Sequence, residues 1–374
     1  MAASSPSSSS SASPSLSLGD RIALVVACLV AWLSEFLDLR FSSPIPPKPS
    51  FERSIPATIS RQKGVIRLVF YTPTSTPTVT QPSEITQPDN IYPAASEASY
   101  LRPAVINFHG GGWIFGTPRM DARWAHRITQ HGYHFISVDY RLAPNHPYPT
   151  PLEDCVDAIL WVHAHAEEYG IDRQRIALSG FSAGGNMVFA AAFRLCEELR
   201  LRSSKKDLDV GGDMGTNAER TESSLRAIIS FYPLVNRTLT DEERYTVDPL
   251  ARKKEQYIPR PLLNLFAKAY ICGSDREHLD LNSPFLSPGL ASDGLLRDCL
   301  PDKIAMFTCE WDRLRNEGET FRERLLSLGG KKIGGRVIKE TIHAWDRLPT
   351  FHRGNPKMDE MYEEAVGYLK DFMD

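Results

Sequence analysis

The apolar residues of this chain fall mainly into short continuous runs, which alternate with segments of helical periodicity. Continuous apolar runs are typical of strands that are buried on both faces of a sheet. Strands are predicted over residues 64–71, 103–108, 133–138, 175–178, 225–232, 302–309 and 335–342. Helices are predicted over residues 151–168, 186–201, 261–271, 316–328 and 359–372. Strands that alternate with helices in this way indicate an α/β fold with a mostly parallel central sheet flanked by helices.

Polar and proline-rich stretches interrupt the alternation. Residues 43–60 are predicted to be an extended connection, residues 72–97 a long surface loop, and residues 202–224 an exposed insertion. Between residues 233 and 285 a charged loop and one apolar helix replace the regular pattern. We therefore expect a core built in two parts, residues 61–232 and 286–374, with an insertion between them.

The N-terminal region is divided into a serine-rich tail, residues 1–20, which is predicted to be disordered, and a helix with a linker, residues 21–60. The apolar run 22–33 is shorter than the ~20 residues of a membrane span, and Glu35 and Asp38 interrupt its extension. Ser17 and Asp20 have the spacing of a capping box, which predicts that the helix begins there. Either the helix packs on the protein as a lid, or residues 22–39 contact a membrane surface.

Composition and charge limit the classes of molecule that the protein is expected to bind. With 42% hydrophobic and 24% charged residues, the chain is an ordinary globular protein, and its net charge of -3 offers no attraction for nucleic acid. Its six cysteines form no Cys-x-x-Cys pair, which predicts reduced, mostly buried thiols in a cytoplasmic protein and no metal cluster. The oligomeric state stays open.

The first candidate for chemistry is Ser182, the centre of a Gly-x-Ser-x-Gly pattern formed with Gly180 and Gly184. A predicted strand precedes the pattern and a predicted helix follows it, which is the context of a nucleophile elbow. Small neighbours are needed there because the serine backbone is strained. Since short turns between a strand and a helix are common, the pattern by itself is a weak signal.

A second motif, His109-Gly110-Gly111-Gly112-Trp113, follows the strand predicted over residues 103–108. Glycines at the end of a buried strand allow the backbone to turn its N–H groups towards a ligand, as an oxyanion hole requires. A phosphate-binding loop would continue with Lys and Ser or Thr, whereas Trp113 and Ile114 follow here.

Together with residues 139–149, these two motifs resemble the hormone-sensitive-lipase-like branch of the α/β-hydrolase superfamily. The resemblance extends from about residue 100 to the C-terminus, and it implies an α/β-hydrolase fold in which the insertion 233–285 is a helical cap. Two positions depart from the family pattern. Phe181 stands where the family commonly has Asp, and Asn145 stands where it commonly has Glu.

The chain order of this fold is Ser, then Asp or Glu, then His, and Ser182, Asp312 and His343 satisfy it just beyond predicted strand ends. His343 would accept the proton of Ser182, and Asp312 would hold the imidazole in the required tautomer. Glu310 is the strongest rival acid.

The other candidates complete the predicted site. His109 is expected to be structural. His352 lies further than His343 from the end of the strand predicted over residues 335–342. The backbone N–H groups of Gly111, Gly112 and Ala183 are predicted to form the oxyanion hole.

These residues predict a serine esterase or lipase-like enzyme that cleaves small, apolar carboxylic esters through an acyl-enzyme without a metal or organic cofactor. Trp113 and Phe181 are predicted to contact the substrate, with Phe115 and Phe266 as further aromatic candidates. Two alternatives are an amide or formamide hydrolase of the same fold and a non-catalytic receptor that binds a small molecule. The receptors that resemble this family lack the catalytic histidine, whereas His343 is present here.

Overall fold

The structure is a computed structural model, and it describes residues 16–73, 101–209, 225–247, 249–254, 259–272, 279–350 and 353–373. Within these ranges the strands are β1 (Phe51–Pro56), β2 (Val65–Tyr71), β3 (Arg102–Phe108), β4 (His134–Asp139), β5 (Ile171–Phe181), β6 (Leu225–Phe231), β7 (Lys303–Cys309), β8 (Lys332–Gly334) and β9 (Val337–Ile338). The helices are α1 (Leu18–Phe41), α2 (Ala122–Gln130), α3 (Thr150–Ala164), α4 (Ala183–Asp209), α5 (Asp241–Val247), α6 (Pro249–Lys254), α7 (Arg260–Ile271), α8 (Asp293–Cys299), α9 (Arg315–Ser327) and α10 (Pro356–Met373).

The strands form one sheet in the order β1-β2-β4-β3-β5-β6-β7-β8, and β9 pairs with β7. The strands β1, β2 and β4 are antiparallel neighbours, whereas every pair from β4 to β8 is parallel. Helices α3, α4 and α9 cover one face and helices α2 and α10 the other. The central strands are therefore buried on both sides, which explains their continuous apolar runs. The mostly parallel sheet confirms the predicted α/β architecture.

Two predictions that concern the strands need correction. Residues 43–60, which were predicted to be a connection, include the strand β1. This strand pairs antiparallel with β2, and Phe51 stacks on Phe70 at a ring separation of 4.5 Å. The last strand, predicted over residues 335–342, is replaced by the two short strands β8 and β9. The chain turns between them at Gly335, where φ is +89° and a Cβ would lie 1.9 Å from the Met306 carbonyl oxygen.

The helix after the nucleophile is longer than predicted. Helix α4 continues to Asp209, so residues 202–209 belong to it rather than to an exposed insertion. The remainder of that predicted insertion, residues 210–224, lies outside the described residues, as do residues 1–15 of the predicted tail and residues 74–97 of the predicted loop.

The prediction that all cysteines are reduced is wrong for one pair. Cys196 in α4 and Cys299 in α8 form a disulfide across a sequence separation of 103 residues. Neither spacing nor composition could have indicated that these two helices meet. Because disulfides persist mainly in oxidising compartments, the bond counts against the expected cytoplasmic location.

The N-terminal helix α1 begins as its capping box predicts. The Ser17 N–H donates to Asp20 Oδ2 at 3.0 Å, and the Asp20 N–H donates to Ser17 Oγ at 3.1 Å. The helix spans 24 residues, twice the length of the apolar run from which its start was predicted.

One side of α1 packs on the rest of the protein along α7. Near its C-terminal end, the buried carboxylate of Asp38 forms an ion pair with Arg123, and Glu35 accepts a hydrogen bond from Thr117. Near its N-terminal end, Lys268 of α7 lies 2.6 Å from Asp20. These contacts attach α1 to the rest of the protein near both of its ends, and a role as a lid stays a prediction.

The other side of α1 exposes large apolar side chains. Its most apolar 18-residue window has a mean hydropathy of 2.1 and is only 11% buried, so the helix is long and apolar enough to cross a membrane. The exposed large apolar residues of α1 are Leu18, Ile22, Val25, Val26, Leu29, Val30, Trp32, Leu33, Phe36 and, at its C-terminal end, Phe41. One such helix near an N-terminus is weak evidence for a membrane span, and membrane contact stays a prediction.

Replacing Asp38, the buried acidic residue of α1, is predicted to destabilise the protein. Asp38→Ala should lower the free energy of unfolding by about 3–5 kcal/mol, because Arg123 would remain buried without its carboxylate. Urea denaturation followed by tryptophan fluorescence measures the change. The matched control is Lys268→Ala, which breaks a more exposed pair and should cost much less than Asp38→Ala. Equal small losses in both variants would contradict the anchoring role of Asp38.

Candidate active site

The candidate residues follow different strands of the sheet. Ser182 follows β5, Asp312 follows β7, and His343 follows β9, while the glycine motif follows β3. These strands are parallel, so their carboxyl ends lie at the same edge. The topology therefore brings together four segments that are far apart in the sequence.

Ser182 lies on a sharp turn between β5 and α4, with φ at +54°. A residue with a Cβ rarely adopts this conformation, and here the packing around the turn leaves no alternative. A Cβ on Gly184 would lie 1.9 Å from the Phe108 carbonyl oxygen, and one on Gly180 would lie 2.3 Å from the Gly184 carbonyl oxygen. The two glycines of the pattern are thus required by close backbone contacts.

The three predicted triad residues lie within hydrogen-bonding distance in series. Ser182 Oγ lies 2.7 Å from His343 Nε2, and His343 Nδ1 lies 2.6 Å from Asp312 Oδ2. The second oxygen of Asp312 accepts the Leu314 N–H at 2.9 Å, and Asp312 is only 1% exposed. If Nδ1 donates to the carboxylate, Nε2 is the acceptor for the serine proton.

Glu310, the alternative candidate for the acid of the triad, binds other residues. Glu310 binds Lys339 Nζ at 2.9 Å and accepts a hydrogen bond from the Glu340 N–H at 2.8 Å. These two donors hold the pKa of Glu310 below its usual value. The other histidine competitor, His352, lies outside the described residues.

His109 is buried beneath the glycine turn. Its ring stacks on Tyr140 with centroids 4.3 Å apart, and its Nδ1 lies 2.7 Å from the Gly110 carbonyl oxygen. Burial lowers the pKa of His109, so the ring is neutral near pH 7. Since it faces the turn from below, His109 supports the backbone rather than the reacting groups.

The predicted oxyanion donors have no competing partners. Among the described residues, no carbonyl or side chain accepts the N–H of Gly111, Gly112 or Ala183. Gly112 and Ala183 line the cavity above Ser182, whereas Gly111 does not. The unbonded N–H of Ala183 is expected, because the first residue of a helix has no intrahelical acceptor.

The cavity has a volume of about 240 Å³ and is shared by the sheet edge and the segment 233–285. Trp113 and Phe266 line it, together with several residues of α7 and of the chain after β6. Its wall also includes Leu234, Arg237, Leu239, Asp241, Arg244, Leu263, Asn264, Ala267, Arg313 and Leu314. Phe115 is not among the lining residues and packs edge-on against Phe266.

The prediction that Phe181 contacts the substrate is wrong. Its ring is 1% exposed, stacks on Phe231 at 4.3 Å, and lies 3.9 Å below the Arg347 guanidinium carbon. Successive residues of a strand point to opposite faces, so the neighbour of the nucleophile points into the α2 and α10 side of the core.

Several residues behind His343 were not predicted. The Tyr232 ring packs edge-on against the His343 ring at 5.0 Å, and its hydroxyl donates to Asp346 at 2.7 Å. Tyr362 donates to the other oxygen of Asp346 at 2.9 Å, and Arg347 forms an ion pair with Asp121 at 2.9 Å. The only indication in the sequence was that Asp346 follows three residues after His343.

Among the described residues, no group of three or more His, Cys, Asp or Glu side chains is arranged to hold a metal ion.

Comparison with known proteins agrees with the architecture. A family model described as the alpha/beta hydrolase fold matches residues 105–347. An arylesterase of Saccharolobus solfataricus is 32% identical over 71% of this chain and 73% of its own, and a Bos taurus arylacetamide deacetylase is 30% identical over 67% and 70%. Human hormone-sensitive lipase is 38% identical over 108 residues, which are 28% of this chain and 10% of that protein.

Solved structures share the fold over nearly the whole chain. An ester hydrolase from the metagenome of Lake Arreo superposes with a TM-score of 0.66 at 24% identity, over 96% of this chain and 93% of the other. The sheet order, the match to the family model and the relatives agree, and the chain belongs to the α/β-hydrolase family, in its hormone-sensitive-lipase-like branch.

Proposed function

We propose that this protein is a serine carboxylester hydrolase that works through an acyl-enzyme, with Ser182 as nucleophile, His343 as general base and Asp312 as its partner. The observation that carries the proposal is the series of contacts Ser182–His343–Asp312, at 2.7 and 2.6 Å. Relatives named arylesterase and carboxylesterase support ester hydrolysis as the reaction.

In the first half of the reaction, Ser182 Oγ attacks the ester carbonyl carbon and its proton passes to His343 Nε2. The carbonyl oxygen becomes an oxyanion, to which the N–H groups of Gly112 and Ala183 would donate; both residues line the cavity, and among the described residues neither N–H has an acceptor. The intermediate collapses as the bond to the alcohol oxygen breaks, and His343 protonates that oxygen. The products are a free alcohol and acylated Ser182.

In the second half, water attacks the acyl carbon and gives a proton to His343. Collapse of the second intermediate breaks the bond to Ser182 Oγ, which recovers its proton, and releases the carboxylic acid. Asp312, buried and bonded to His343 Nδ1, stabilises the imidazolium in both halves. The aromatic and aliphatic part of the cavity wall suits an apolar group of the substrate.

Amide hydrolysis is the second candidate, favoured by the similarity to arylacetamide deacetylase. The same residues would serve both reactions, because only the leaving atom differs. Matched 4-nitrophenyl acetate and 4-nitroacetanilide distinguish them, and the ester is expected to have the higher kcat/KM. A receptor without turnover is disfavoured because Ser182, Asp312 and His343 are all present and in contact.

We further propose that the outward face of α1 rests on a membrane surface. Its apolar side chains are exposed, while Arg21 and Arg40 lie exposed near its two ends, where anionic headgroups would meet them. The inward side of α1 packs on α7, and Phe266 of α7 lines the cavity. Lipid contact through α1 would therefore place the cavity close to the membrane surface.

Removal of the nucleophile is predicted to abolish ester cleavage. Ser182→Ala should lower kcat on 4-nitrophenyl butyrate by about 10⁴-fold or more, since the variant lacks the hydroxyl that lies 2.7 Å from His343 Nε2. The matched control, Ser230→Ala, removes a buried hydroxyl that binds the Gly185 carbonyl and should retain kcat within about tenfold. Full activity of Ser182→Ala would refute the proposal.

The glycine turn after β3 is predicted to increase the rate of ester cleavage. A Cβ at Gly112, where φ is +60°, would lie 3.0 Å from the Phe266 ring, so the turn must shift. Gly112→Ala should lower kcat by about 10²–10³-fold, the effect of losing one oxyanion donor. Gly111 is unsuitable for this test, because its Cβ would lie 2.0 Å from the Phe115 carbonyl oxygen and would disrupt the backbone.

Gly367→Ala in α10 is the control for the glycine substitution, since its Cβ meets no atom within 4 Å. It should leave kcat unchanged. An unchanged kcat in Gly112→Ala, with a circular dichroism spectrum like that of the wild type, would exclude Gly112 from the oxyanion hole.

The face of α1 is predicted to bind lipid. The full chain should float with vesicles of phosphatidylcholine and phosphatidylserine, and Leu29→Asp/Trp32→Asp should not, while turnover of a soluble ester is retained. Leu201→Asp, an equally exposed leucine on α4, is the control and should still float. Wild-type protein that stays in the unbound fraction would contradict membrane contact.

A further inference from the structure

Three arginines line the cavity, and only two of them are paired with carboxylates. Arg244 forms an ion pair with Glu317 at 2.7 Å, and Arg313 forms one with Asp241. Arg237 has no carboxylate partner among the described residues. The cavity wall thus presents one uncompensated cation, in the same space as Ser182.

Arg237 is held in place by aromatic faces. Its guanidinium carbon lies 4.9 Å from the Trp113 ring centroid and 5.3 Å from the Tyr270 ring centroid, and these two rings stack on each other at 4.4 Å. The main chain of Arg237 is fixed as well, because its N–H donates to Ser287 Oγ at 2.8 Å. The two ring faces and the main-chain hydrogen bond therefore orient the side chain without occupying its N–H donors.

Most of the N–H donors of Arg237 are unused. Within the described part of the chain, the guanidinium makes one hydrogen bond, from Nη2 to the Ala267 carbonyl at 3.3 Å, and Nη1 is buried without an acceptor. Burial lowers the pKa of Arg237 to about 10, so it is still a cation near pH 7. Burying the N–H donors of a cation without acceptors is costly, and the two ring faces offset only part of that cost.

We infer that Arg237 binds a carboxylate of the substrate, and that the preferred substrates are esters that carry a free carboxylate beside an apolar body. Carboxylate oxygens suit the planar fork of a guanidinium, which can donate two parallel hydrogen bonds. The inference deepens the proposed esterase function and rests on it. Trp113, which follows Gly112 directly, connects this cation to the backbone donors for the oxyanion.

The carboxylate can stand on either side of the scissile bond, and two matched pairs of esters distinguish these cases. For the acyl side, 4-nitrophenyl hydrogen glutarate is compared with 4-nitrophenyl butyrate. For the alcohol side, 4-butyryloxybenzoate is compared with phenyl butyrate. The measured quantity is the ratio of kcat/KM for the charged ester to that for its neutral partner.

In the wild type, the ratio should exceed one in at least one pair. Arg237→Met keeps the apolar stem and removes the cation, so that ratio should fall about tenfold or more, mainly through KM. Arg237→Lys keeps the charge without the planar fork and should give an intermediate ratio. The control Arg252→Met removes an exposed arginine of α6, outside the cavity, and should leave the ratio unchanged.

A ratio that is the same in wild type, Arg237→Met and Arg237→Lys, for both pairs, would overturn the inference while leaving the esterase function intact. A ratio that falls equally in Arg252→Met would overturn it too, because the effect would then come from overall charge. Absence of turnover on all four esters by the wild type would instead refute the proposed function, and the inference with it.

Discussion

The close contact between the start of α4 and the end of β3 is the constraint on which the site depends. Gly184 approaches the Phe108 carbonyl so closely that any Cβ would overlap it. The same contact holds Ser182 at positive φ and brings the glycine turn after β3 next to the serine. Ser182 and the glycine turn are thus positioned by one packing contact rather than by two independent loops. This explains why both glycine motifs must be present in one chain.

The second requirement is a fixed imidazole. His343 is bounded by Asp312 at Nδ1 and by the Tyr232 ring, which packs edge-on against it, and Tyr232 is linked through Asp346 to Tyr362. Buried carboxylates are costly unless they are bonded, and here each is met by hydroxyl, amide or guanidinium donors. The network behind the histidine therefore acts as its support, while the cavity in front stays open to substrate.

Much of this arrangement followed from the sequence, because it depends on local patterns. The glycines around Ser182 and the apolar runs of β3 and β5 reflect backbone geometry that only certain residues allow. The choice of Asp312 over Glu310 needed the family pattern as well, since two acids two residues apart on an extended segment look alike. The contacts of Glu310 with Lys339 and Glu340 became visible only in the fold.

Other features could not be predicted, because they depend on which distant segments meet. The disulfide between Cys196 and Cys299 is of this kind, and so is the lack, among the described residues, of a carboxylate that pairs with Arg237. Phe181 is different: the alternation of side chains along a strand could have placed it in the core.

The most direct test of the central claim is to trap the covalent intermediate. The enzyme is mixed with excess 4-nitrophenyl butyrate, quenched in acid within milliseconds, digested and analysed by mass spectrometry. The account predicts a butyryl group on the peptide that contains Ser182, formed together with a burst of 4-nitrophenol. A burst with the butyryl group on any other residue would contradict it.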